Sequence, residues 1–417
     1  MGEINYFVFL LLIAVLPYSD SLSRPLWIVW MCFWAFELRF TTKPDFNGKR
    51  YRKLIPFIGF TVWFAISSLS VFWASNKAEA GAYLMRRADY IFLLLIAIWG
   101  VNDKYDWRTC MRVLIATCLI SVFVYLTTYY WVMNHAHATD PAQPLVFSFD
   151  WLHLGEFTLN IKHRLQYSTL LCASVIGICL LFEDNVKRYG RVRTIIFSLS
   201  TAAILLLAII WSGSREGIIN IMVLAVTLLI IYAPRRHRWA YGAVAVIAIV
   251  GFAVGTLLLH PRFNEAPLKE YFQLRDYPDW PAYEPRLAIW TAALESPSDY
   301  SLHGVGVGNA PDYLVEKYTG HGWIYYIENR YHAHNEFLTQ WIELGVVGML
   351  LIAAIWLIMP FCFSGRSKTM AFLLTEICIL NMLTDNFLDM IEGVFFVAVM
   401  FSIVLIAEQQ QQTKAEN

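Results

Sequence analysis

Between Tyr331 and Leu350 the chain reads Y-H-A-H-N-E-F-L-T-Q-W-I-E-L-G-V-V-G-M-L, a polar cluster at the entrance of an apolar run. His332 and His334 are two residues apart, so they share a face in an extended segment and part company on a helix. A histidine titrates near pH 6.5, so at neutral pH it can take a proton as a general base, and equally it can serve only as a hydrogen-bonding group. A metal centre needs a third donor. The nearest histidines, His303 and His321, show no ligand spacing, so neither a metal nor another cofactor is expected. Asn335 stands next to His334 as a positioning neighbour.

Anion chemistry is the other theme. Arg215 sits in Trp211-Ser-Gly-Ser-Arg-Glu216, a very short turn between two apolar runs. Such an arginine can snorkel to the interface, but its planar fork also suits the phosphate oxygens of a lipid-linked phosphate arriving at that depth. Arg286 opens the amphipathic stretch P-R-L-A-I-W-T-A-A-L, where a helix N-terminus would add to its pull on an anion; a solvated pair with Glu284 is the plainer reading. Arg87, beside Arg86, either lines an anionic lipid path or pairs with Asp89, and Arg164 is a further cation close to an apolar run. Asp385 ends an apolar run in a turn that also carries Asp389 and Glu392; these carboxylates can orient a histidine, pair with the arginines or simply be solvated. Glu343 and Glu376, inside apolar runs, are costly unless paired or facing water.

The elements that must position these groups are membrane helices. The chain has 417 residues, is 58% apolar and only 15% charged, and has a mean hydropathy of +0.50. A soluble domain carries about 25% charge. Twelve apolar runs read as spanning helices: about 4–19, 25–41, 54–74, 83–101, 110–133, 166–183, 194–212, 216–233, 239–260, 337–361, 369–385 and 393–408. The fold class is therefore all-α and polytopic. Residues 1–260 hold nine spans, 261–336 form a partly helical loop, 337–408 hold three spans and 409–417 form a tail whose glutamine run is expected to be disordered.

Most of the 32 lysines and arginines fall in alternate loops that share a side with both termini, which places that side in the cytoplasm and segments 134–165 and 261–336 outside. No cleavable leader is expected, because no basic residue precedes the first apolar run and no small-residue cleavage site follows it. The net charge is zero, which gives no reason to expect nucleic acid. The seven cysteines lie in or beside apolar runs and suggest no disulfide framework. In the outer loop, Asn309 is the expected cap of a helix from Ala310, after the Gly-rich turn His303-Gly-Val-Gly-Val-Gly-Asn309.

Taken in order, these elements resemble the O-antigen ligase and polymerase superfamily. His334-Asn335 followed after nine residues by Gly345-Val-Val-Gly348 resembles its H-N-x9-G-x-x-G signature, and Glu343-Leu-Gly345 its E-L-G element. Arg215 on its short turn, Arg286 in an R-x-x-x-W element, the glycine loop 303–309 and Thr384-Asp385 have counterparts in the same order. The resemblance covers about residues 195–405, while the first half matches in topology alone.

That resemblance implies a metal-independent, inverting glycosyl transfer at the periplasmic face of the bacterial inner membrane. The donor would be a glycan on undecaprenyl diphosphate, and the acceptor a sugar hydroxyl of lipid A–core. It implies His334 as the general base, with Arg215 and Arg286 on the diphosphate; His332, Asn335, Asp385, Arg87 and Arg164 are further candidates for substrate contact. The polymerase and the protein O-oligosaccharyltransferase are alternatives within the superfamily. A lipid-linked glycan transporter is an alternative of another class, but transporters bind near mid-membrane and often carry internal repeats, whereas the candidate groups here gather at one rim and no repeat is visible.

Overall fold

In lipid a backbone must satisfy its own hydrogen bonds, so apolar runs of this length fold as helices. The computed structural model describes residues 2–38, 51–139, 162–232, 243 and 286–416, and among them every regular element is helical. In chain order they are α1 (Gly2–Val15), α2 (Asp20–Glu37), α3 (Ile55–Ser70, preceded by the 3-10 turn Arg52–Leu54), α4 (Lys77–Arg87) and α5 (Asp89–Trp99). Next come α6 (Trp107–Thr139), α7 (Arg164–Tyr189), α8 (Arg191–Trp211), α9 (Arg215–Tyr232) and α10 (Arg286–Leu294). The last are α11 (Ala310–His321), α12 (Ile324–Glu328), α13 (Glu336–Ile358), α14 (Gly365–Thr384) and α15 (Ile391–Glu416).

The protein is an all-α polytopic membrane protein. Seven of the described helices are long and apolar enough to cross a bilayer: Arg52–Ser70, Trp107–Val132, Arg164–Tyr189, Arg191–Trp211, Arg215–Tyr232, Glu336–Cys362 and Ile391–Lys414. The expected first span is a shorter apolar helix of 14 residues. The run 83–101 is interrupted at Ala88, which leaves an apolar α5 of only 11 residues. The span expected at 239–260 lies outside the described residues apart from 243, as do residues 261–285 of the loop. The glutamine run 409–412 is not a disordered tail, because it continues α15 as helix.

The chain forms two compact units that are not consecutive in sequence. The first takes residues 1–41, 101–265 and 410–417, and so holds α1, α2 and α6 to α9. Its centre is α7, apolar on nearly all sides and 89% buried over its spanning window. Small residues let neighbours approach it: a Cβ on Gly177 would sit 2.8 Å from Met111 of α6, and one on Gly217 of α9 would sit 2.5 Å from Ser168. The second unit takes residues 42–100 and 266–409, and so holds α3 to α5, α10 to α14 and most of α15. An aromatic core joins its helices, with Phe60 stacked on Tyr90 at 4.9 Å and edge-on to Trp356 at 5.9 Å.

The loop helices sit on this second unit through a break in α13. Gly345 has φ +72° and ψ −171°, a backbone that a residue with a Cβ avoids. The break frees backbone groups that the glycine loop then pairs: Val305 and Gly306 donate to the Ile342 and Glu343 carbonyls at 2.8 and 2.9 Å, and Val346 donates to the Ser301 carbonyl at 2.8 Å. Gly304 is forced by the same approach, since a Cβ there would fall 2.1 Å from the Glu343 carbonyl oxygen. Asn309 occupies the cap position of α11 but does not cap it with its side chain. Its Oδ1 instead accepts from Asn76 N–H at 3.0 Å and Ser75 Oγ at 3.3 Å, which pins the loop to the start of α4.

Candidate active site

Asn335 is the N-cap of α13. Its backbone is extended and its Oδ1 accepts from Leu338 N–H at 2.9 Å, a bond worth about 1 kcal/mol to helix stability. Its amide donates to the Leu383 carbonyl at 3.2 Å and ties the entrance of α13 to the end of α14. Both side-chain groups are thus engaged in fixing the turn that carries His334.

The extended segment before α13 is fixed from the loop side. Trp290 of α10 donates its indole N–H to the Ala333 carbonyl at 2.8 Å, between the two histidines, and Tyr318 of α11 donates its hydroxyl to the Tyr331 carbonyl at 3.2 Å. Arg286 lies one helical turn before Trp290 and shares its face. The R-x-x-x-W element therefore holds the histidine backbone with its tryptophan and places a permanent cation where it is felt by His332.

His332 and His334 do share a face, with ring centroids 4.0 Å apart. His334 has φ +46°, a left-handed backbone that is strained for a non-glycine residue. The turn is closed by His334 N–H donating to His332 Nδ1 at 3.2 Å. Asp385, which follows the last residue of α14, faces both rings: its Oδ1 lies 3.3 Å from His334 Nδ1 and 3.8 Å from His332 Nε2. At 3.3 Å the first is a charge contact whose angle falls short of a good hydrogen bond. His334 Nδ1 is shut off from solvent, yet 22% of the side chain is exposed, so the accessible part of the ring lies away from Asp385.

Burial alone would push the Asp385 carboxyl up, but the contact with His334, the charges of both histidines and the Asn386 N–H bond at 2.9 Å outweigh it and hold it at about 2. His332 moves the other way. Desolvation, His334 and Arg286 lower it to about 4 against the pull of Asp385 and Asn386. Water at the exposed third of the side chain moderates that shift, but its direction keeps the ring neutral at neutral pH.

The turn that carries Asp385 is clamped to α13. Thr339 Oγ1 donates to Asn386 Oδ1 at 2.9 Å, Leu388 N–H donates to Glu336 Oε2 at 2.8 Å, and Tyr90 OH donates to the Leu388 carbonyl at 3.0 Å. Arg87 is part of this clamp. Its guanidinium is fully buried, with Nε and Nη2 on the two oxygens of Asp389 at 2.8 and 2.7 Å, Nη2 also on Glu343 at 2.5 Å and Nη1 on Ser67 at 2.8 Å. Its partners are thus Asp389 and Glu343, and with its fork engaged inside the protein we assign it to positioning and not to substrate contact. Glu343 is paired as its location demands, and its second oxygen accepts from Gly308 N–H at 2.9 Å.

A third donor near the histidines does exist, contrary to the expectation from spacing. The donor atoms of His332, His334 and Asp385 lie within 4.8 Å of one another and could take a cation. Asp385 is 51 positions beyond His334, too far for any ligand spacing to show. The Arg286 charge beside His332 opposes a second cation. His303 and His321 take no part: His321 pairs with Glu295 at 2.8 Å and stacks on Trp323, and His303 lies edge-on to Trp73.

Within the second unit, then, the structure gathers Arg286, His332, His334, Asn335 and Asp385. Arg164 and Arg215 belong to the first unit, where they open α7 and α9. Arg215 is the first residue of α9 after the turn Ser212-Gly213-Ser214, and Ser214 Oγ caps that helix by accepting from Gly217 N–H at 3.0 Å. A guanidinium thus stands at the positive end of a helix dipole. The sequence signals missed the clamp around Arg87, whose partners lie 256 and 302 positions away.

Residues 200–353 match a family model described as O-Antigen ligase. The match takes in Arg215, Arg286, His332, His334, Asn335, Glu343 and Gly345, and stops before Asp385. It supports membership of the O-antigen ligase superfamily, whose members carry out ligase- or polymerase-type chemistry on glycans. No curated protein matches the chain.

Proposed function

We propose that this chain transfers a glycan from undecaprenyl diphosphate to a sugar hydroxyl of lipid A–core, at the periplasmic face of the inner membrane. The observation that supports the reading is His334: one ring nitrogen is buried against an ionised carboxylate while 22% of the side chain stays open, next to a His332 that feels the charge of Arg286. Asp385 favours the tautomer with the proton on Nδ1, which leaves Nε2 as the base. Nε2 takes the proton of the acceptor hydroxyl as its oxygen bonds to the anomeric carbon. The bond from that carbon to the diphosphate breaks, and undecaprenyl diphosphate leaves with the electron pair. Attack opposite the leaving group inverts the anomeric centre. Arg286 neutralises the charge that grows on the diphosphate, the role that the resemblance also implies for Arg215. His332, kept neutral, accepts the His334 N–H and holds the turn. Arg164 is a further cation for the donor headgroup. The chemistry needs no metal, because the donor already carries an activated leaving group.

The test uses the purified chain in lipid nanodiscs, given lipid-linked glycan and lipid A–core. Transfer that survives chelation supports the reading. Joining of two lipid-linked glycans without use of lipid A–core would assign the site to a polymerase. Movement of donor across the bilayer with no transfer would reject an enzyme altogether.

A further inference from the structure

Helices α6, α7 and α8 of the first unit line a half-open cavity of about 490 Å³ that the proposed transfer does not use. Its polar lining gathers at one end of these helices: Arg112 near the start of α6, Asn185 near the end of α7 and Arg193 in the first turn of α8. Its apolar lining runs inward from there, through Ile115 and Leu119 on α6 and Phe197 on α8. From Arg112 to Leu119 is two helical turns, about 10 Å. A charged head at one end and an apolar body toward the bilayer centre is the outline of an amphiphile.

The arginines are also unspent. Among the described residues neither Arg112 nor Arg193 has a hydrogen bond or an ion pair. Arg108, one turn before Arg112, shows what a satisfied arginine looks like here: it pairs with Asp184 at 2.7 Å and lies over the Trp107 ring. Two arginines beside one apolar cavity call for an anionic headgroup.

The donor of the transfer reaction does not fit the location. Arg164 opens α7, and Asn185 and Tyr189 lie at its other end; 26 residues of helix span about 39 Å, more than the hydrocarbon thickness of a bilayer. We propose that the cavity binds an anionic glycerophospholipid of the leaflet at the end of α7 opposite Arg164, its phosphate on Arg112 and Arg193 and an acyl chain along α6 and α8. The leaflet rests on the proposed placement of the donor at Arg164 and Arg215; the binding does not.

The full chain, in nanodiscs of phosphatidylcholine with a minority of phosphatidylglycerol, is released and its retained lipids are counted by native mass spectrometry. The wild type is expected to keep phosphatidylglycerol in preference. At about fivefold for each basic residue, Arg112→Gln with Arg193→Gln weakens retention about 25-fold. The Lys pair at the same positions keeps most of it, and Lys187→Gln, an exposed cation outside the cavity, changes nothing. If the double Gln variant does not fold, each single variant reads about fivefold. No preference for phosphatidylglycerol in the wild type, or unchanged retention in the Gln variants, overturns the proposal. Displacement of phosphatidylglycerol by equimolar undecaprenyl phosphate overturns it as well, and would give the cavity to the polyprenyl lipid. Glycan transfer is measured on the same preparations, so failure of the lipid site and failure of the transfer reading are separately visible.

Discussion

Asp385→Asn is the substitution that bears hardest on the proposed chemistry. The amide keeps the size and shape of the carboxylate and removes only its charge. A carboxyl held at about 2 in place of 3.8 is favoured as the anion by about 2 kcal/mol, and the burial of Asp385 means the histidines supply more than that gross. The same attraction acts on the positive charge that His334 gains with the acceptor proton, so the loss falls on the transition state. About 2 kcal/mol is roughly a 30-fold loss. An amide can also turn its NH2 toward Nδ1 and favour the tautomer whose Nε2 is already protonated, which carries the loss toward 10⁴-fold, as in catalytic triads. The assay is single-turnover transfer in nanodiscs at saturating donor. The rate should fall between about 30-fold and 10⁴-fold while the donor concentration for half-saturation stays within about twofold. Because the carboxyl is depressed, it is ionised above about pH 4 and loses its charge only as the pH falls toward 2, so a comparison at about pH 7 to 8 reads the loss of a carboxylate that is fully charged in the wild type. A variant that keeps more than a tenth of the wild-type rate, or one whose loss is all in donor affinity, would refute the assignment of His334 as a base supported by Asp385.

The left-handed backbone of His334 separates chemistry from folding. His334→Ala, →Asn and →Gly should each lower transfer by at least about 10², whereas only Ala should cost about 1 kcal/mol of stability, read as a lower melting temperature. His332 is depressed below its free value, so the unfolded chain takes its proton first; stability is full above about pH 6.5 and is lost as the pH falls toward 4, and His332→Gln should flatten that part of a melting-temperature profile. Gly345→Ala places a Cβ 2.4 Å from the Leu302 carbonyl oxygen in a backbone only glycine tolerates, so it should cost more than about 2 kcal/mol and leave the loop helices open to limited proteolysis. Glycan transfer and protease resistance equal to wild type would show that α13 does not need its break.

What the sequence made legible, and what it hid, follows from the reach of each signal. The helical class was visible because apolar length is a local property, and α10 and α11 appear where short amphipathic patterns place them. The pairing of His332 with His334 was visible because period two brings alternate residues to one side. Asp385 was visible as a carboxylate that could orient a histidine, but not as the one that does, because nothing in a linear spacing joins the end of α14 to the start of α13. Arg87 misled for the same reason: Asp89 is its neighbour in sequence, while Asp389 holds it in the structure. Glycines four positions or fewer apart in an apolar run, as at Gly345 and Gly348, read as close helix packing, and for Gly345 the reason is different in kind. Small size and positive φ leave the same letter in a sequence, and only the loop at Ser301–Gly306 shows that the conformation is what is needed.

The clamp explains why an arginine should be buried at all. Removing a guanidinium and two carboxylates from water costs several kcal/mol per ion before their attraction offsets it, so a buried network of this kind is weak evidence for stability. It is better evidence for position. Arg87 joins Asp389, four residues after Asp385, to Glu343, nine residues after His334. Gln340 extends the link, donating to Glu336 Oε1 at 2.8 Å and to Asp389 Oδ2 at 3.3 Å while its own oxygen accepts from Trp63 at 2.8 Å. The links between α13 and the turn of Asp385 thus include paired, desolvated groups with fixed directions, beside the exposed bond of Asn335 to Leu383. Lysine at position 87 could neutralise the charge but could not present two parallel donors to one carboxylate and a third to another. A displacement of about 1 Å between catalytic groups costs on the order of 10²-fold in rate. The 3.3 Å separation of His334 and Asp385 is a contact between two helix ends, and the clamp fixes it where the single Asn335–Leu383 bond would leave the two helices free to shift.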